Sequence, residues 1–191
     1  PKFIPDEEEI ELIINQTKTK GNIGIRDKAI LEIYYASGIR RTELANLDIR
    51  HVDTKNLTIT VRKGKGGYDR VVPIVQRTVD AINEYLTKVR PLLAIFASGD
   101  ALFLGETGKR ILSSKLTELV GEYIRRSGVA EEGACHLLRH ATGTHMLRNG
   151  ADIRYVQEML GHEDISSTQL YTHVVINDLQ KVHKQTHPFA K

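Results

Sequence analysis

The sequence is poor in cysteine and has no long apolar run. Cys135 is the single cysteine among 191 residues, so an intrachain disulfide and a cysteine-based zinc site are both excluded. No run of apolar residues is long enough to span a bilayer, and no signal-peptide pattern opens the sequence. These absences predict a protein of the reducing cytoplasm that does not insert into a membrane.

Net charge is also nearly absent. The 27 Lys+Arg residues exceed the 24 Asp+Glu residues by only +3, which is too little to indicate a nucleic-acid partner by itself. The charges are unevenly placed, however, because acidic residues crowd the segment 6–11. Basic residues crowd a different short segment: Arg62, Lys63, Lys65 and Arg70. The sequence therefore contains basic patches that its net charge hides.

The composition and the β-pattern predict one domain of mixed structure. With 40% hydrophobic residues, the chain can bury a core of its own. Alternating apolar residues over 57–61 predict a half-buried strand, which a Gly-rich turn at 64–67 connects to a second strand at 68–73. A third short strand is predicted around 49–52. These three strands would form a small antiparallel sheet.

Helical spacing of apolar residues dominates elsewhere, so we predict a mixed, mainly α-helical fold with a small three-stranded antiparallel β-sheet. The first two helices are predicted to be separated by a Gly-Asn-Ile-Gly loop at 21–24, and Gly38 to end the second. Further helices are predicted from Ile39, over 75–89, around 116–124, over 135–148 and 152–160, from Ser166 and over 177–187.

Towards its C-terminal end the sequence carries polar residues that are not typical of a helix surface. His136, Arg139 and His140 fall within little more than one helical turn, where residues three or four apart share a face. His162 follows a Leu-Gly break, and Tyr171 lies shortly beyond it. Imidazoles, a guanidinium and a phenol together indicate an anion site with a candidate nucleophile.

Each candidate also has an ordinary structural interpretation when it is taken alone. Arg40 at a helix start is typical of a surface charge, and Lys65 in a Gly-rich turn is typical of a solvated turn residue. His136 and His140 have the spacing of a capping pair, a core pair or two metal ligands. The glutamate that the HExxH zinc motif requires between them is missing. The residues become informative only in combination.

In combination, these segments resemble the tyrosine recombinases, also called the phage integrase family. The family pattern H-x-x-R…H…Y is met by four residues: His136, Arg139, His162 and Tyr171. The segment 36–44 is similar to the family's first-arginine box and places that arginine at Arg40, while the turn at 64–66 is similar to the catalytic-lysine turn and contains Lys65. The similarity covers nearly the whole chain and is strongest to the Xer type.

The resemblance implies the fold of the family's catalytic domain and the reaction of a site-specific DNA recombinase. In that reaction the Tyr171 hydroxyl attacks a DNA phosphodiester and leaves a 3′-phosphotyrosyl bond and a free 5′-hydroxyl, and strand exchange passes through a Holliday junction. The phosphotyrosyl bond conserves the energy of the cleaved phosphodiester, which is then available for rejoining. No cofactor and no metal are therefore implied.

The resemblance also implies a role for each remaining motif residue. Arg40 and Arg139 bind the non-bridging phosphate oxygens, which planar guanidinium groups suit well. His136 acts as the general base for the tyrosine, and Lys65 protonates the leaving 5′-oxygen. His162 donates a hydrogen bond to the phosphoryl oxygen.

Two further residues are expected to support the site without touching the phosphate. Glu43 lies one turn beyond Arg40 and is expected to orient it or a neighbour, and His140 is expected to contact the residues around His136. Members of the family usually carry an N-terminal helical core-binding domain, so we interpret residues 1–191 as a catalytic domain without it.

The partners implied by the resemblance are macromolecular. We expect a double-stranded DNA recombination site, a homo- or hetero-tetramer of recombinase protomers on that DNA, and room for an activating partner protein. The C-terminal helix at 177–187 carries few apolar residues, which suits an element exchanged with a neighbouring protomer.

Three other interpretations are left open by the residues. A type IB topoisomerase-like strand transferase would use the same set of side chains and relax DNA as a monomer. A non-catalytic DNA-binding module of the same fold would keep the positions without the reaction. A histidine-based metal hydrolase is the third, although a carboxylate among the histidines is missing.

Overall fold

The structure is a computed structural model that describes residues 3–62, 69–161 and 176–190. Within these ranges the chain is mainly helical with one small antiparallel sheet, which confirms the predicted fold class. The α-helices are α1 (Glu7–Asn15), α2 (Gly21–Ser37), α3 (Arg41–Ala45), α4 (Gln76–Lys88), α5 (Arg90–Leu93), α6 (Ser113–Ser127), α7 (Cys135–Arg148), α8 (Ile153–Leu160) and α9 (Ile176–Thr186). The 3₁₀-helices are Gln16–Lys20, Ile49–His51, Phe96–Ser98 and Pro188–Ala190.

The sheet consists of β1 (Val52–Asp53), β2 (Thr58–Val61) and β3 (Arg70–Pro73), in the order β1-β2-β3. In the antiparallel register of β2 and β3, Val61 pairs with Arg70 and Ile59 pairs with Val72. Ile59 and Val61 are buried, as the alternating pattern over 57–61 predicted, and Val72 is buried opposite Ile59. The turn that joins the two strands, at 63–68, lies outside the described residues, as does the helix predicted from Ser166.

Helix α2 lies at the centre of the core and contacts α1, α4 and α7. Its second half is buried on every side, and the buried residues of the helix include three charged ones that have partners. Arg26 and Asp27 pair with each other at 2.9 Å, and the Tyr123 hydroxyl donates to the same carboxylate. The carboxylate of Glu32 accepts from Arg77 of α4. Because each buried charge is bonded, α2 can cross the core without an uncompensated ion.

The predicted loop at 21–24 is wrong, because α2 begins at Gly21 and the connection is the 3₁₀-helix Gln16–Lys20. Gly24 is required by packing and not by a loop. A Cβ at this position would lie 1.9 Å from the carbonyl oxygen of Thr17. The absence of a side chain at Gly24 therefore lets the first turn of α2 fold closely against the 3₁₀-helix.

Helix α9 packs on its own chain, against β3 and α7. Leu179 is buried, and so are two histidines that the apolar pattern does not count. His183 Nε2 donates to the carbonyl of Ala36 at 2.7 Å, and His187 Nε2 donates to that of Tyr35 at 2.6 Å. These acceptors lie in the last turn of α2, where helix carbonyls lack intrahelical partners. Exchange of this helix with a neighbouring protomer stays a prediction.

The chain end beyond α9 is held by an aromatic contact. The guanidinium carbon of Arg77 lies 3.6 Å from the centre of the Phe189 ring, and Tyr35 meets the same ring edge-on. None of the helices in the described ranges is both long and apolar enough to cross a membrane.

The buried histidines predict an acid-sensitive tail. Burial lowers the pKa of His183 to about 4 and, with the help of the adjacent His183, that of His187 to about 3. Both pKa values lie below those of the unfolded chain. The two neutral histidines therefore contribute fully to the free energy of unfolding above pH 6.5, and this contribution is lost as the pH falls towards 4. His183→Gln keeps an amide donor but does not titrate. Between pH 6.5 and 4, the unfolding free energy of this variant should fall by on the order of 3 kcal/mol less than that of the unmodified chain, as measured by urea titration.

Lys184→Gln is the matched control, since Lys184 follows on the same helix and is exposed. Its pH dependence should equal that of the unmodified chain. Equal slopes for His183→Gln and the unmodified chain would contradict the assignment.

Candidate active site

The last carbonyls of α8 accept hydrogen bonds from arginines of three separate segments. Arg139 of α7 donates from Nη2 to the carbonyl of Leu160 at 2.9 Å, and from Nη1 to that of Gly38 at 2.6 Å. Arg40, directly before α3, donates from Nη2 to the carbonyl of Gly161 at 2.8 Å. Cations are favoured here because helix C-terminal carbonyls lack intrahelical partners and form the negative end of the helix dipole.

The third arginine is Arg70, the first residue of β3. Its Nε donates to the carbonyl of Met159 at 3.0 Å, and its Nη2 lies 3.5 Å from that of Leu160. Gly161 ends α8 in the left-handed region, with φ at +69°, and a Cβ there would lie 2.7 Å from the guanidinium carbon of Arg70. Glycine is needed at this position both for the backbone angle and for the close approach of Arg70.

Glu43 connects two of these arginines. Its Oε1 accepts from the backbone N–H of Arg40 at 2.8 Å, and its two oxygens accept from Nη1 and Nη2 of Arg70 at 2.5 and 3.0 Å. Burial alone would raise the pKa of Glu43, but the hydrogen bonds and charge of Arg70 outweigh it, so that the pKa lies below its usual range. The carboxylate is therefore ionised at neutral pH.

The cluster is rich in positive charge. Burial, together with the charges of Arg40 and Arg70, lowers the pKa of Arg139 to about 10. Arg139 is still a cation at neutral pH, although its neighbours oppose the charge. Even when the Glu158 carboxylate, which also interacts with Arg70, is counted together with that of Glu43, three guanidinium groups leave a surplus of positive charge, and such a surplus favours an anionic ligand.

The face of α7 that carries Arg139 also carries imidazole groups. His136 lies in the first turn of α7, three residues before Arg139, so the two side chains share a face of the helix. His136 and His140 are exposed, and their ring centres lie 6.5 Å apart. Across the described ranges, no group of three or more His, Cys, Asp or Glu side chains is arranged to hold a metal ion. The site can thus offer guanidinium donors and a solvent-accessible base to one ligand.

The structure brings part of the predicted set together. Arg40, Arg139 and Glu43 meet around the end of α8, and His136 and His140 lie beside Arg139 on α7. The remaining candidates are outside the described residues: Lys65, His162 and Tyr171. Their part in the site stays a prediction.

Sequence reasoning did not single out Arg70. It counted this residue only within a basic patch, because two adjacent valines in β3 do not show which face of the strand points inward; the structure does. Val71 is exposed and Val72 is buried, so Arg70 occupies an inward position. An inward arginine needs a carboxylate or several carbonyls as partners. The identity of those partners depends on long-range packing that no local pattern shows.

Comparison with known proteins gives consistent matches. The model of the family described as the phage integrase family matches residues 4–177. The tyrosine recombinase XerC 2 of Ralstonia nicotianae is 41% identical over 188 residues, which cover 98% of this chain and 54% of that protein. XerC of Thermodesulfovibrio yellowstonii is 38% identical over 195 residues, which cover 100% and 64%. The chain thus spans about half to two thirds of the length of these relatives.

Solved structures agree with the sequence matches. The crystal structure of XerA recombinase superposes with a TM-score of 0.75 at 32% identity and covers 98% of this chain and 67% of that chain. The XerH site-specific recombinase, in a pre-cleavage complex with its difH substrate, gives a TM-score of 0.74 at 26% identity and covers 91% and 50%. These similarities confirm the fold that the motifs implied.

The contact of Gly161 with Arg70 predicts an unusually costly alanine substitution. Gly128 ends α6 with φ at +76°, and a Cβ there would have no atom within 4 Å, so it is a matched control. Gly128→Ala should cost about 1 kcal/mol of unfolding free energy for the backbone angle alone. Gly161→Ala should cost roughly 1–2 kcal/mol more, because the guanidinium must move from its bonded place. Urea titration measures both, and equal losses would contradict the close contact.

Proposed function

Because the chain belongs to the phage integrase family, we propose that it is the catalytic part of a site-specific DNA recombinase. This enzyme cleaves and rejoins DNA strands through a 3′-phosphotyrosyl intermediate and a Holliday junction. The observation that carries the proposal is the cluster of arginines at the end of α8, which has a surplus of positive charge beside an exposed histidine.

Arg40 and Arg139 are the proposed ligands of the scissile phosphate. A guanidinium has five N–H groups. Among the described residues, Arg40 donates one guanidinium hydrogen bond and Arg139 donates two, so both retain donors for a ligand. Their backbone acceptors hold the two groups in place before DNA arrives. Donors fixed in this way stabilise the extra negative charge of the pentacovalent transition state without having to reorganise.

The covalent step follows from the chemistry of the motif residues. A bond forms between the Tyr171 hydroxyl oxygen and phosphorus while the bond between phosphorus and the 5′-oxygen breaks. His136 accepts the phenolic proton, which is needed because a phenol with a pKa of about 10 is mostly protonated at neutral pH. Lys65 gives a proton to the departing 5′-oxygen, and His162 donates to a phosphoryl oxygen. Rejoining is the reverse of cleavage, so no nucleotide cofactor is consumed. The proposed reaction uses no metal.

The proposed substrate is a double-stranded DNA recombination site. The complex of the related XerH recombinase with difH supports a DNA partner. On that DNA we propose a homo- or hetero-tetramer of protomers, with α9 exchanged between neighbours and an activating protein as a further partner. A core-binding domain, as in other family members, would complete the grip on DNA. A cytoplasmic location is proposed to accompany this substrate.

Tyr171→Phe should abolish covalent trapping and spare DNA binding, since it removes only the attacking oxygen. The probe is a pool of nicked duplexes with random sequence, from which cleavage releases a short strand and thereby prevents rejoining. The chain should form an adduct that denaturing gels resolve, and sequencing of the attached DNA would identify the site. An adduct of undiminished yield in Tyr171→Phe would overturn the assignment of the nucleophile.

The competing functions predict different products from plasmid DNA. The DNA sequence that is identified in the adducts is called the selected site. We expect no relaxation of a supercoiled plasmid that lacks this site, because a recombinase acts only where protomers assemble. A type IB topoisomerase-like enzyme would relax this plasmid. Adduct formation with the selected duplex should continue in excess EDTA. Cleavage that leaves no adduct and stops in EDTA would instead favour a histidine-based metal hydrolase, which attacks with a metal-activated water. Absence of both cleavage and adduct would favour a non-catalytic DNA-binding module.

A further inference from the structure

We infer that Arg70 is a positioning residue for the proposed phosphate-binding arginines. It bonds both Glu43 and the end of α8, and so determines where Arg40 and Arg139 lie. The inference rests on the proposed function, since it assigns a role within the same site.

The hydrogen bonds of Arg70 separate positioning from direct catalysis. Its Nε, Nη1 and Nη2 all donate, to the carbonyl of Met159 and to both oxygens of Glu43. Its side chain is only 12% exposed, and that of Glu43 is 8% exposed. With most of its N–H groups bonded and its side chain largely covered, Arg70 is poorly placed to contact DNA. Its effect must pass through the groups it holds.

Each phosphate-binding arginine depends on a group that Arg70 bonds. Glu43, which accepts the backbone N–H of Arg40, is held by Nη1 and Nη2 of Arg70. The last turn of α8, which accepts from the guanidinium groups of Arg40 and Arg139, is held by its Nε. Without Arg70, a buried carboxylate would lose its cation, and the end of α8 would lose a donor. Both changes would loosen the same two arginines.

The shape of the guanidinium matters as much as its charge. One planar group reaches a carboxylate with one edge and a helix carbonyl with Nε, whereas a lysine ammonium is a single point on a flexible stem. Gly161 leaves room for this plane against the backbone. Lysine at position 70 would therefore keep the charge and lose the simultaneous contacts.

Arg70→Lys tests the inference, with Arg110→Lys as the matched control. Arg110 also bonds one carboxylate, that of Asp48, and two backbone carbonyls, those of Ala45 and Leu47, but none of these groups holds Arg40 or Arg139. We measure the single-turnover rate of adduct formation on the selected nicked duplex, DNA affinity by anisotropy and folded fraction by urea titration. Arg70→Lys should slow adduct formation by about 100-fold, as expected for a small misplacement of catalytic groups.

The affinity for DNA and the folded fraction should change far less than the rate in Arg70→Lys, and Arg110→Lys should stay within about threefold of the unmodified rate. A second substrate carries a methylphosphonate at the scissile position, where a methyl group replaces a charged oxygen and reduces the need for guanidinium charge. The rate defect of Arg70→Lys, relative to the unmodified chain, should shrink on this substrate. A merely structural role would leave the ratio unchanged.

The outcomes separate this inference from the proposed function. If the unmodified chain forms an adduct and Arg70→Lys forms it equally fast, the positioning role is overturned and the function stands. The same holds if the rate falls only in proportion to the folded fraction, or if the methylphosphonate leaves the defect unchanged. If the unmodified chain forms no adduct on any duplex, the proposed function fails and the inference fails with it.

Discussion

The free carbonyls at the end of α8 are the acceptors on which the arrangement of the site depends. A helix leaves its last carbonyls without partners, and here arginines from distant segments bond them. Arg40 lies 121 residues from Gly161 along the chain, and Arg70 lies 89 residues from Met159. The same bonds therefore close the tertiary structure and orient the site. An end of a helix that would otherwise be solvated becomes the meeting point of α3, β3 and α7.

This arrangement places like charges close together in a partly buried region. Burial, and after it the charges of Arg40 and Arg70, lowers the pKa of Arg139, and Glu43 and the helix dipole offset only part of this effect. The surplus charge is a cost to the folded state that an anion would relieve. Regions built in this way exchange some stability for function, and the bonds from Arg70 to its neighbours limit that cost.

The sequence predicted local structure better than long-range partners. The alternation in β2 and the left-handed glycines that end α2 and α8, Gly38 and Gly161, are local signals, and the structure contains them. Gly24 was misjudged because close packing and loop flexibility both select glycine. The buried histidines His183, in α9, and His187, directly after it, were missed because an apolar pattern does not count polar side chains bonded to a helix end. Arg70 was missed because its partner Glu43 lies 27 residues away and is identified only by packing.

The end of α2 also serves two neighbours at once. The carbonyls of Tyr35 and Ala36 accept from histidines of the tail, and that of Gly38 accepts from Arg139. These acceptors lie within four consecutive residues, so a shift of the backbone that relieves one contact alters the other. The tail and the arginine cluster are thus energetically coupled, and double-mutant cycles across this turn would not be additive. Anyone redesigning the chain would have to vary both regions as one unit.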